Sequence, residues 1–412
     1  MRIGPHLNIV RITTVVLALH CLALHGQPLF PEKQQLDQFL DSQVANGAVP
    51  SVAVFVVDKS KGIVYQHASG KGNKGSDLRT DDLFAIYSMT KPVTAVAVLQ
   101  LVEQHKLGLD DPVSRYIPEF ADLPVIKSFD WKDTTYTVEP QSHPVTIRQL
   151  LSHTSGLAYD FVSNELEAIS AKMEKTGTKK GKKVYLTFPL LFQPGTRWHY
   201  GTGMEALGDI IAKVSGESLD TYFQKHIFDP LGMNDTFFEV PEEKKTRLAD
   251  RYVKNGSGYT ARRSSGYDKP VILGGYGLFS TGQDYSRFIQ CLLNEGTLGG
   301  KRLLNSSSVK EMSRNQIGGL NANPLKSANP GLTKNFPEAG NFKFGLGSII
   351  SGTTANGRSN VGSYGWAGIL NTFFWIDPAK QTGVIVMMQQ LPFYDDPCLE
   401  TLHGVESILY AK

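Results

Sequence analysis

Ser88 and Lys91 are the residues of this 412-residue chain whose types and spacing most directly predict chemistry. They stand three positions apart in Ser88-Met89-Thr90-Lys91, and the mostly apolar run 92–101 follows at once. On a helix this spacing places both side chains on one face. A serine hydroxyl is a weak nucleophile at neutral pH and needs a base within hydrogen-bond reach, which an unprotonated amine one turn away can supply. The pattern therefore predicts an activated serine nucleophile.

A second Ser-x-x-Lys pattern, Ser307 to Lys310, has a simpler explanation. It follows Asn305, and a helix capped by Asn305 or by a neighbouring serine accounts for it. The first pattern lies between two apolar segments, where a polar serine and lysine need a functional reason. Pro92 is tolerated only in the first turn of a helix, so this helix must begin near Ser88.

Composition and charge exclude several classes of function. The chain carries 42 Lys and Arg against 39 Asp and Glu, for a net charge of +3. Its lysines concentrate in residues 172–183, which we interpret as a solvated loop, so no nucleic-acid surface is predicted. The residue types of segment 70–75 match a dinucleotide-binding pattern, but no apolar helical segment follows it. We therefore interpret it as a polar loop. No spacing suggests a metal site, and no cofactor is expected.

The N-terminus has the pattern of a secretory signal. Arg2 and Arg11 precede a mostly apolar stretch, 12–24, that is too short to span a membrane, and Gly26-Gln27 is a candidate cleavage point. We therefore expect residues 1–26 to be a signal peptide, the mature chain to be periplasmic or extracellular, and no stable membrane span. Cys291 and Cys398 would remain, each interpreted as a buried thiol, with their pairing left open.

The order of predicted elements indicates how the site is positioned. Leu36, Phe39, Leu40 and Val44 repeat at helical spacing. Strands are predicted at 51–58 and 62–68, helices and long loops from 88 to about 266, strands at 344–350, 362–368, 370–377 and 382–389, and a helix at 398–410. This predicts an α/β fold in which both chain ends, residues 27–86 and 267–412, build a sheet domain around an inserted, mainly helical domain, residues 87–266.

The sequence lacks the motifs of α/β-hydrolases, of metalloproteases and of phosphate-binding loops. No serine has glycine at both the second residue before it and the second residue after it, which excludes the nucleophile elbow of α/β-hydrolases. The chain also lacks a metalloprotease helix with paired histidines and a phosphate-cradling Gly-Lys-Ser/Thr loop.

Four segments together give the chain a specific resemblance. They are Tyr87-Ser88-Met89-Thr90-Lys91-Pro92, Val145-Thr146-Ile147-Arg148-Gln149-Leu150-Leu151-Ser152-His153-Thr154-Ser155-Gly156-Leu157, Gln193-Pro194-Gly195-Thr196-Arg197-Trp198-His199-Tyr200 and Gly274-Gly275-Tyr276-Gly277-Leu278-Phe279-Ser280-Thr281. From about residue 30 onward the chain strongly resembles the serine β-lactamase-like superfamily. Order and spacing resemble class C β-lactamases, D-aminopeptidases and, most closely, family VIII carboxylesterases and related acyltransferases. The resemblance implies an antiparallel sheet flanked by N- and C-terminal helices, with the active site at the interface of the two domains.

The resemblance implies three catalytic roles. Ser88 would be the acyl-accepting nucleophile, Lys91 its activating partner, and Tyr200 the phenol that exchanges protons with nucleophile and leaving group. Whether Lys91 or Tyr200 is the base during acylation stays open. In β-lactamases the tyrosine motif continues as Tyr-x-Asn, whereas this chain has Tyr200-Gly201-Thr202, which argues against β-lactam hydrolysis.

The third family motif, Lys-Thr-Gly on an edge strand, is replaced here. Lys175-Thr176-Gly177 has the letters but precedes Tyr200 and lies in the lysine-rich loop, so we reject it. Trp366-Ala367-Gly368 near the C-terminus is the better match. Loss of the lysine, which would bind a substrate carboxylate, argues for neutral or apolar substrates. The resemblance then assigns the oxyanion hole to the backbone N–H groups of Ser88 and Ile369.

Several aromatic residues near these motifs are candidates for substrate binding, although each could equally be a structural wall residue. The candidate substrate-binding residues are Tyr159, Trp198, Tyr276, Trp366 and Gly368, with Phe161 and Tyr364 as further pocket candidates. His153 is interpreted as a buried structural histidine, because the lysine and tyrosine leave it no proton to move.

The sequence therefore predicts an exported serine hydrolase whose acyl-enzyme is released to water or to an acceptor alcohol. Its expected partner is a small-molecule ester or amide, and short-chain or small apolar esters are the expected substrates of a carboxylesterase. The alternatives are a D-aminopeptidase or D,D-peptidase, a class C-like β-lactamase, and, from another class, a non-catalytic penicillin-binding-like module. Three intact catalytic residues argue against the last. No oligomeric state is predicted.

Overall fold

The structure is a computed structural model that describes Met1 and residues 30–178, 183–256, 258–262, 270–338, 340–352 and 359–411. Beyond Met1, the predicted signal peptide lies outside the described residues. None of the helices in the described ranges has the length and apolar character needed to cross a membrane. Those ranges also hold no cluster of His, Cys, Asp or Glu side chains arranged to bind a metal ion.

The helices are distributed along the whole described chain. They are α1 Lys33–Ala45, α2 Thr90–Glu103, α3 Ile147–Leu151, α4 Asn164–Thr176, α5 Gly203–Ser215, α6 Leu219–Phe223, α7 Asp229–Leu231, α8 Gly282–Leu293, α9 Ser306–Ser313 and α10 Asp396–Leu409. The helix predicted at 398–410 corresponds to α10. The apolar residues that repeat at helical spacing before residue 45 lie in α1, whose Leu36 and Leu40 are buried.

The strands cluster at the two ends of the chain, with hairpins between them. They are β1 Ser51–Asp58, β2 Gly62–Gly70, β3 Phe84–Ala85, β4 Val125–Asp130, β5 Thr135–Glu139, β6 Arg251–Asn255, β7 Gly258–Arg262, β8 Phe279–Ser280, β9 Thr297–Leu298, β10 Lys301–Arg302, β11 Phe342–Phe344, β12 Ile349–Ser351, β13 Tyr364–Gly368, β14 Thr372–Asp377, β15 Thr382–Met387 and β16 Gln390–Leu391.

A seven-stranded antiparallel sheet forms the centre of the fold, in the order β11-β12-β13-β14-β15-β1-β2. It joins the N-terminal hairpin to strands from the C-terminal third, which confirms the predicted fold class. β14 is buried at every position and β1 at all but its last, so both faces of the sheet are covered. Helices α1 and α10 pack on each other, and α8 packs against β1 and β15. The domain boundaries at 86 and 267 stay predictions.

Two strand predictions need correction. The single strand expected at 344–350 is wrong: the chain reverses between β11 and β12, where Gly345 N–H donates to the carbonyl of Ser348 (2.8 Å) and Gly347 has φ +84°. Apolar residues on both sides of this glycine turn look continuous in the sequence. The middle segment also contains the hairpins β4–β5 and β6–β7, which the helix-and-loop interpretation missed.

The rejected motifs have ordinary structural roles. Asn305 caps α9 by accepting the N–H of Ser308 (2.9 Å), as the capping interpretation of the second Ser-x-x-Lys predicts. Gly177 ends α4 in a left-handed conformation, so the Lys-Thr-Gly letters form a helix C-terminus rather than an edge strand. Cys291 and Cys398 are both buried and unpaired, which answers the question of their pairing.

Candidate active site

The turn that carries Ser88 is fixed between buried elements. A 3-10 turn, Tyr87–Met89, leads directly into α2, and the preceding strand β3 pairs with β8. Tyr87 has φ +42°, a left-handed conformation that is uncommon for an aromatic residue and is typical of strained functional turns. Every residue of α2 from Thr90 to Leu101 is buried, so this helix begins deep inside the protein.

Ser88 is hydrogen-bonded to both predicted partners. Lys91 Nζ lies 3.0 Å from Ser88 Oγ, and the Tyr200 hydroxyl donates to the same atom at 2.6 Å. Tyr200 approaches from the segment before α5, 112 residues later in the chain. Two proton-transfer groups therefore touch one nucleophile, which is the geometry required for general-base activation of a serine.

The Lys91 amine is fully buried and makes two further hydrogen bonds. It donates to the carbonyl of Gly275 (2.8 Å) and to the Tyr159 hydroxyl (3.2 Å). Its nitrogen also lies 5.3 Å from the ring centroid of Tyr159 and 4.8 Å from that of Tyr200. These contacts hold the amine in one position, because carbonyl, hydroxyl and ring surround it on several sides.

Glu205 is a buried carboxyl group next to this cluster, on α5. The Tyr159 hydroxyl donates a short hydrogen bond to its Oε1, whereas Oε2 has no hydrogen-bond partner among the described residues. Burial raises the pKa of Glu205 above its usual range, and nearby Lys91 opposes that shift. Burial and the Glu205 charge together raise the pKa of Tyr159 well above 10. A Cβ atom at Gly275 would lie 2.4 Å from the Glu205 carboxyl carbon, so only glycine leaves room for this group.

His153 lies against the Tyr200 ring without contacting Ser88. Its ring centroid is 5.0 Å from that of Tyr200 and 6.3 Å from that of Trp366. Burial, with Lys91 and His199 nearby, lowers the pKa of His153 well below 6.5 and so disfavours a charged ring. Its Nδ1 accepts the Gly201 N–H (3.4 Å). This arrangement suits the structural role expected of it.

The segment Trp366-Ala367-Gly368 lies on β13, next to the Ser88 turn. A Cβ atom at Gly368 would lie 2.3 Å from the carbonyl oxygen of Ile86, two residues before Ser88. The end of β13 therefore approaches the nucleophile's turn as closely as backbone allows. Ser88 and Ile369, whose N–H groups are the predicted oxyanion hole, both line the same cavity. Their roles in stabilising an oxyanion stay predictions.

A cavity of about 280 Å³ opens at Ser88. Its wall is mostly aromatic and apolar and, among the described residues, contains no lysine or arginine. Glu338, His403 and Glu406 also line it, and Glu338 and His403 form an ion pair at 3.0 Å. Aromatic residues of this wall include Phe161, Tyr200, Phe336, Phe342, Tyr364, Trp366, Phe373, Phe374, Trp375, Phe393 and Tyr394.

The predicted substrate-binding residues occupy different places. Trp366 lines the cavity, together with the further candidates Phe161 and Tyr364. Tyr159 lies in the hydrogen-bond cluster, and Trp198 is buried with its ring 5.5 Å from Phe344. Tyr276 is half-buried, and Glu205 lies near enough to raise its pKa together with burial. Their part in substrate binding, like that of Gly368, stays a prediction.

Sequence reasoning missed Glu205 and the wall residues Phe336 and Phe393. Glu205 stands in an amphipathic helix, where an acidic residue normally indicates the solvent face. The sequence signal for its burial is Gly275, which leaves room for the carboxyl group. Phe336 and Phe393 come from irregular segments whose path no periodicity predicts.

Comparisons with known proteins agree on one family. The family model described as Beta-lactamase matches residues 36–404. Lovastatin esterase of Penicillium rubens is 30% identical over 402 residues, which are 92% of this chain and 98% of the esterase. ML-236A carboxylate methylbutanoyltransferase of Penicillium citrinum is 28% identical over 81% of this chain and 82% of its own length.

A solved structure extends the similarity to the fold. Unliganded simvastatin synthase (LovD) from Aspergillus terreus superimposes with a TM-score of 0.79 at 24% identity, over 93% of this chain and 98% of the synthase. At this level of identity the likeness concerns the fold alone.

Proposed function

The chain belongs to the beta-lactamase family, and we propose that it is a carboxylesterase that forms an acyl-enzyme on Ser88. The observation that carries the proposal is the double hydrogen bond to Ser88 Oγ, from Lys91 and from Tyr200, in the wall of a mostly apolar cavity. A non-catalytic module would need neither partner on its serine.

The reaction proceeds in two steps at Ser88. Its Oγ attacks the ester carbonyl while its proton passes to Lys91 or Tyr200, and the resulting oxyanion is held by backbone N–H groups. The same pair returns a proton to the departing alcohol. Water then attacks the acyl-enzyme and releases the acid, with Ser88 regaining its proton.

The cavity wall supports an uncharged substrate with a small apolar group. The resemblance matches Trp366 to a lysine of β-lactamases, and the described part of the cavity wall offers no lysine or arginine to a substrate carboxylate. A volume of about 280 Å³ is near the lower end of ligand sites. Short-chain and small apolar esters fit this space best.

Acyl transfer is a second candidate that differs only in the acceptor. One relative is named an esterase and another a methylbutanoyltransferase, so relatives of this chain pass acyl groups to different acceptors. The mostly aromatic wall would admit an apolar alcohol as readily as water. Product analysis with added butanol separates the two: hydrolysis gives only the acid, and transfer gives the butyl ester as well.

A D-aminopeptidase is the runner-up, because acidic residues border the cavity. Glu338 and Glu406 could bind a substrate's free amine, although Glu338 is paired with His403. Turnover of D-alanine p-nitroanilide in preference to p-nitrophenyl esters would favour this activity over the carboxylesterase.

The test compares p-nitrophenyl acetate, butyrate and octanoate with nitrocefin and the D-alanine anilide, for the mature protein. Ser88→Ala should abolish ester turnover, and nitrocefin should be a poor substrate of the wild type. Ser307→Ala is the matched control, since Ser307 begins the other Ser-x-x-Lys and is exposed. Folded wild type that hydrolyses none of the esters, or a Ser88→Ala variant that matches it, would overturn the proposal.

We further propose that the protein is exported. The support is the sequence pattern before residue 27, which lies outside the described residues. N-terminal sequencing of protein recovered outside the cytoplasm should begin near residue 27, and a retained N-terminus would contradict export.

A further inference from the structure

The three hydrogen bonds of Lys91 limit how it can become a base. As an ammonium group it has three N–H donors, and Ser88 Oγ, Tyr159 and the Gly275 carbonyl accept one each, at 3.0, 3.2 and 2.8 Å. An ammonium with three donors has no lone pair and cannot take the proton of Ser88. One of its three protons must leave before the amine can act as a base.

Only one of the three partners offers that proton a route. Ser88 is the group to be deprotonated, and a backbone carbonyl does not retain a proton at neutral pH. Tyr159 can accept one proton while it passes its own to Glu205, because its hydroxyl accepts from Lys91 and donates to Glu205 Oε1. The route therefore runs away from the substrate, into the protein.

We propose that Glu205 stores the proton that Lys91 must lose, with Tyr159 as the relay. An N–H bond of Lys91 breaks as an O–H bond forms on Tyr159, and the original O–H bond of Tyr159 breaks as one forms on Glu205. The ammonium and carboxylate charges cancel, and no proton enters or leaves the protein. The neutral amine then turns about its Cε–Nζ bond and presents its lone pair to Ser88 Oγ.

The surroundings of Glu205 favour the stored proton. The residue is buried, its Oε2 has no partner among the described residues, and the rest of its carboxyl packs against Gly275. A neutral acid costs less there than an ionised carboxylate. The titratable groups that face Glu205 are Lys91 on α2, Tyr159 and Tyr276. Tyr200 and His153 lie near Lys91 instead. Burial likewise raises the pKa of Glu205.

This inference rests on the proposed function, since it assumes that Ser88 is acylated and that Lys91, rather than Tyr200, takes its proton. Glu205 touches neither substrate nor Ser88 and acts through Lys91, so it is a positioning residue. Its signature is therefore a change in the pH dependence of Ser88 reactivity rather than a loss of rate alone.

The experiment measures kcat/KM for p-nitrophenyl butyrate from pH 6 to 9.5 in wild type, Glu205→Gln and Tyr159→Phe. Because the proton stays inside the wild-type protein, its profile should be nearly flat around neutrality. Either variant should lose about 100-fold at pH 7 and recover about tenfold per pH unit, as the proton must now leave to solvent. The double variant should lose no more than either single one, because both interrupt one route.

Asp284→Asn is the matched control, because Asp284 is another buried carboxyl whose pKa burial raises, on α8. It should keep the wild-type profile even if it lowers thermal stability. A Glu205→Gln variant that loses activity equally at every pH would show a purely structural role and overturn the inference. So would a Tyr159→Phe variant with the wild-type profile.

Covalent labelling separates this inference from the esterase proposal. The rate at which a p-nitrophenyl phosphonate labels Ser88, followed by intact-protein mass spectrometry, requires no ester turnover. Labelling with the same pH contrast between wild type and Glu205→Gln would support the relay even if the tested esters are poor substrates. Labelling at the same pH-dependent rate in both would overturn the relay and leave the esterase proposal intact.

Discussion

Replacing Gly368 by alanine tests how closely β13 must approach the nucleophile. The added Cβ would lie 2.3 Å from the carbonyl oxygen of Ile86 and 2.3 Å from Thr372 Oγ1. The threonine hydroxyl has no hydrogen-bond partner among the described residues and can rotate away. The carbonyl belongs to the backbone just before Ser88, so the strand itself must withdraw.

The distance by which β13 must move determines the expected loss of catalytic rate. Ordinary van der Waals contact begins at 3.4 Å, so β13 must move by about 1 Å from the Ser88 turn. Ile369, whose N–H is a predicted oxyanion donor, would move with it. A misplacement of about 1 Å costs roughly 100-fold in rate, or about 2.7 kcal/mol of activation free energy.

The assay compares kcat for p-nitrophenyl butyrate and the thermal unfolding midpoint of Gly368→Ala and Gly258→Ala. Gly258 also lies in a strand, β7, but a Cβ there meets nothing within 4 Å, so its variant should keep wild-type activity. A folded Gly368→Ala variant with wild-type kcat would refute the reasoning, because the strand would then tolerate displacement without affecting chemistry.

Three further predictions concern stability and the cavity wall. Arg314 and Arg148 lower the pKa of Glu311 from 4.5 to about 2. The ionised Glu311 therefore contributes about 2 kcal/mol to the free energy of unfolding above pH 4.5, and this contribution is lost as the pH falls towards 2. Denaturation of Glu311→Gln should therefore show a deficit at pH 6 that vanishes near pH 2, and a deficit independent of pH would contradict this. Asparagine tolerates the φ of +57° at position 153, so His153→Asn should fold but lower the free energy of unfolding by about 2 kcal/mol. The pH profile of kcat/KM should keep its shape; loss of a titration step between pH 5 and 7 would show that His153 exchanges a proton in the reaction. Trp366→Ala should lower the free energy of unfolding by about 3–5 kcal/mol and raise KM more for p-nitrophenyl octanoate than for the acetate, whereas equal changes would remove Trp366 from the acyl wall.

The chemistry of the site was predictable where it depends on local spacing. Ser88 and Lys91 are three residues apart, and one helical turn brings their reactive atoms together whatever the rest of the chain does. Tyr200 has no such local signal. It was identified through the family motifs, and the structure brings its hydroxyl to 2.6 Å from Ser88 Oγ.

Glu205 could not be predicted because its burial is a tertiary property. Nothing within α5 distinguishes a carboxyl that faces solvent from one that faces another segment. The space it occupies is created by Gly275, 70 residues later, and its partner Tyr159 comes from a loop. The aromatic cavity wall has the same limitation, since Phe336 and Phe393 arrive on irregular segments.

The sheet was predictable strand by strand because buried strands read as short apolar runs between turn residues. The same rule failed at Gly347, because the turn Gly345-Leu346-Gly347-Ser348 is short and has apolar residues on both sides. It also failed at β4–β5, whose residues are mostly exposed and therefore give no apolar run. Alternating β-branched and aromatic residues, Thr135 to Val138, were the available signal for that hairpin.

The most direct test of the account is to trap the acyl-enzyme. Wild-type protein mixed briefly with p-nitrophenyl butyrate, quenched in acid and weighed by intact-protein mass spectrometry should gain one butyryl group, which peptide mapping should locate on Ser88. Ser307→Ala should gain the same group, and Ser88→Ala should gain none. Turnover of the ester without any adduct on Ser88, or with an adduct on another residue, would contradict the central claim.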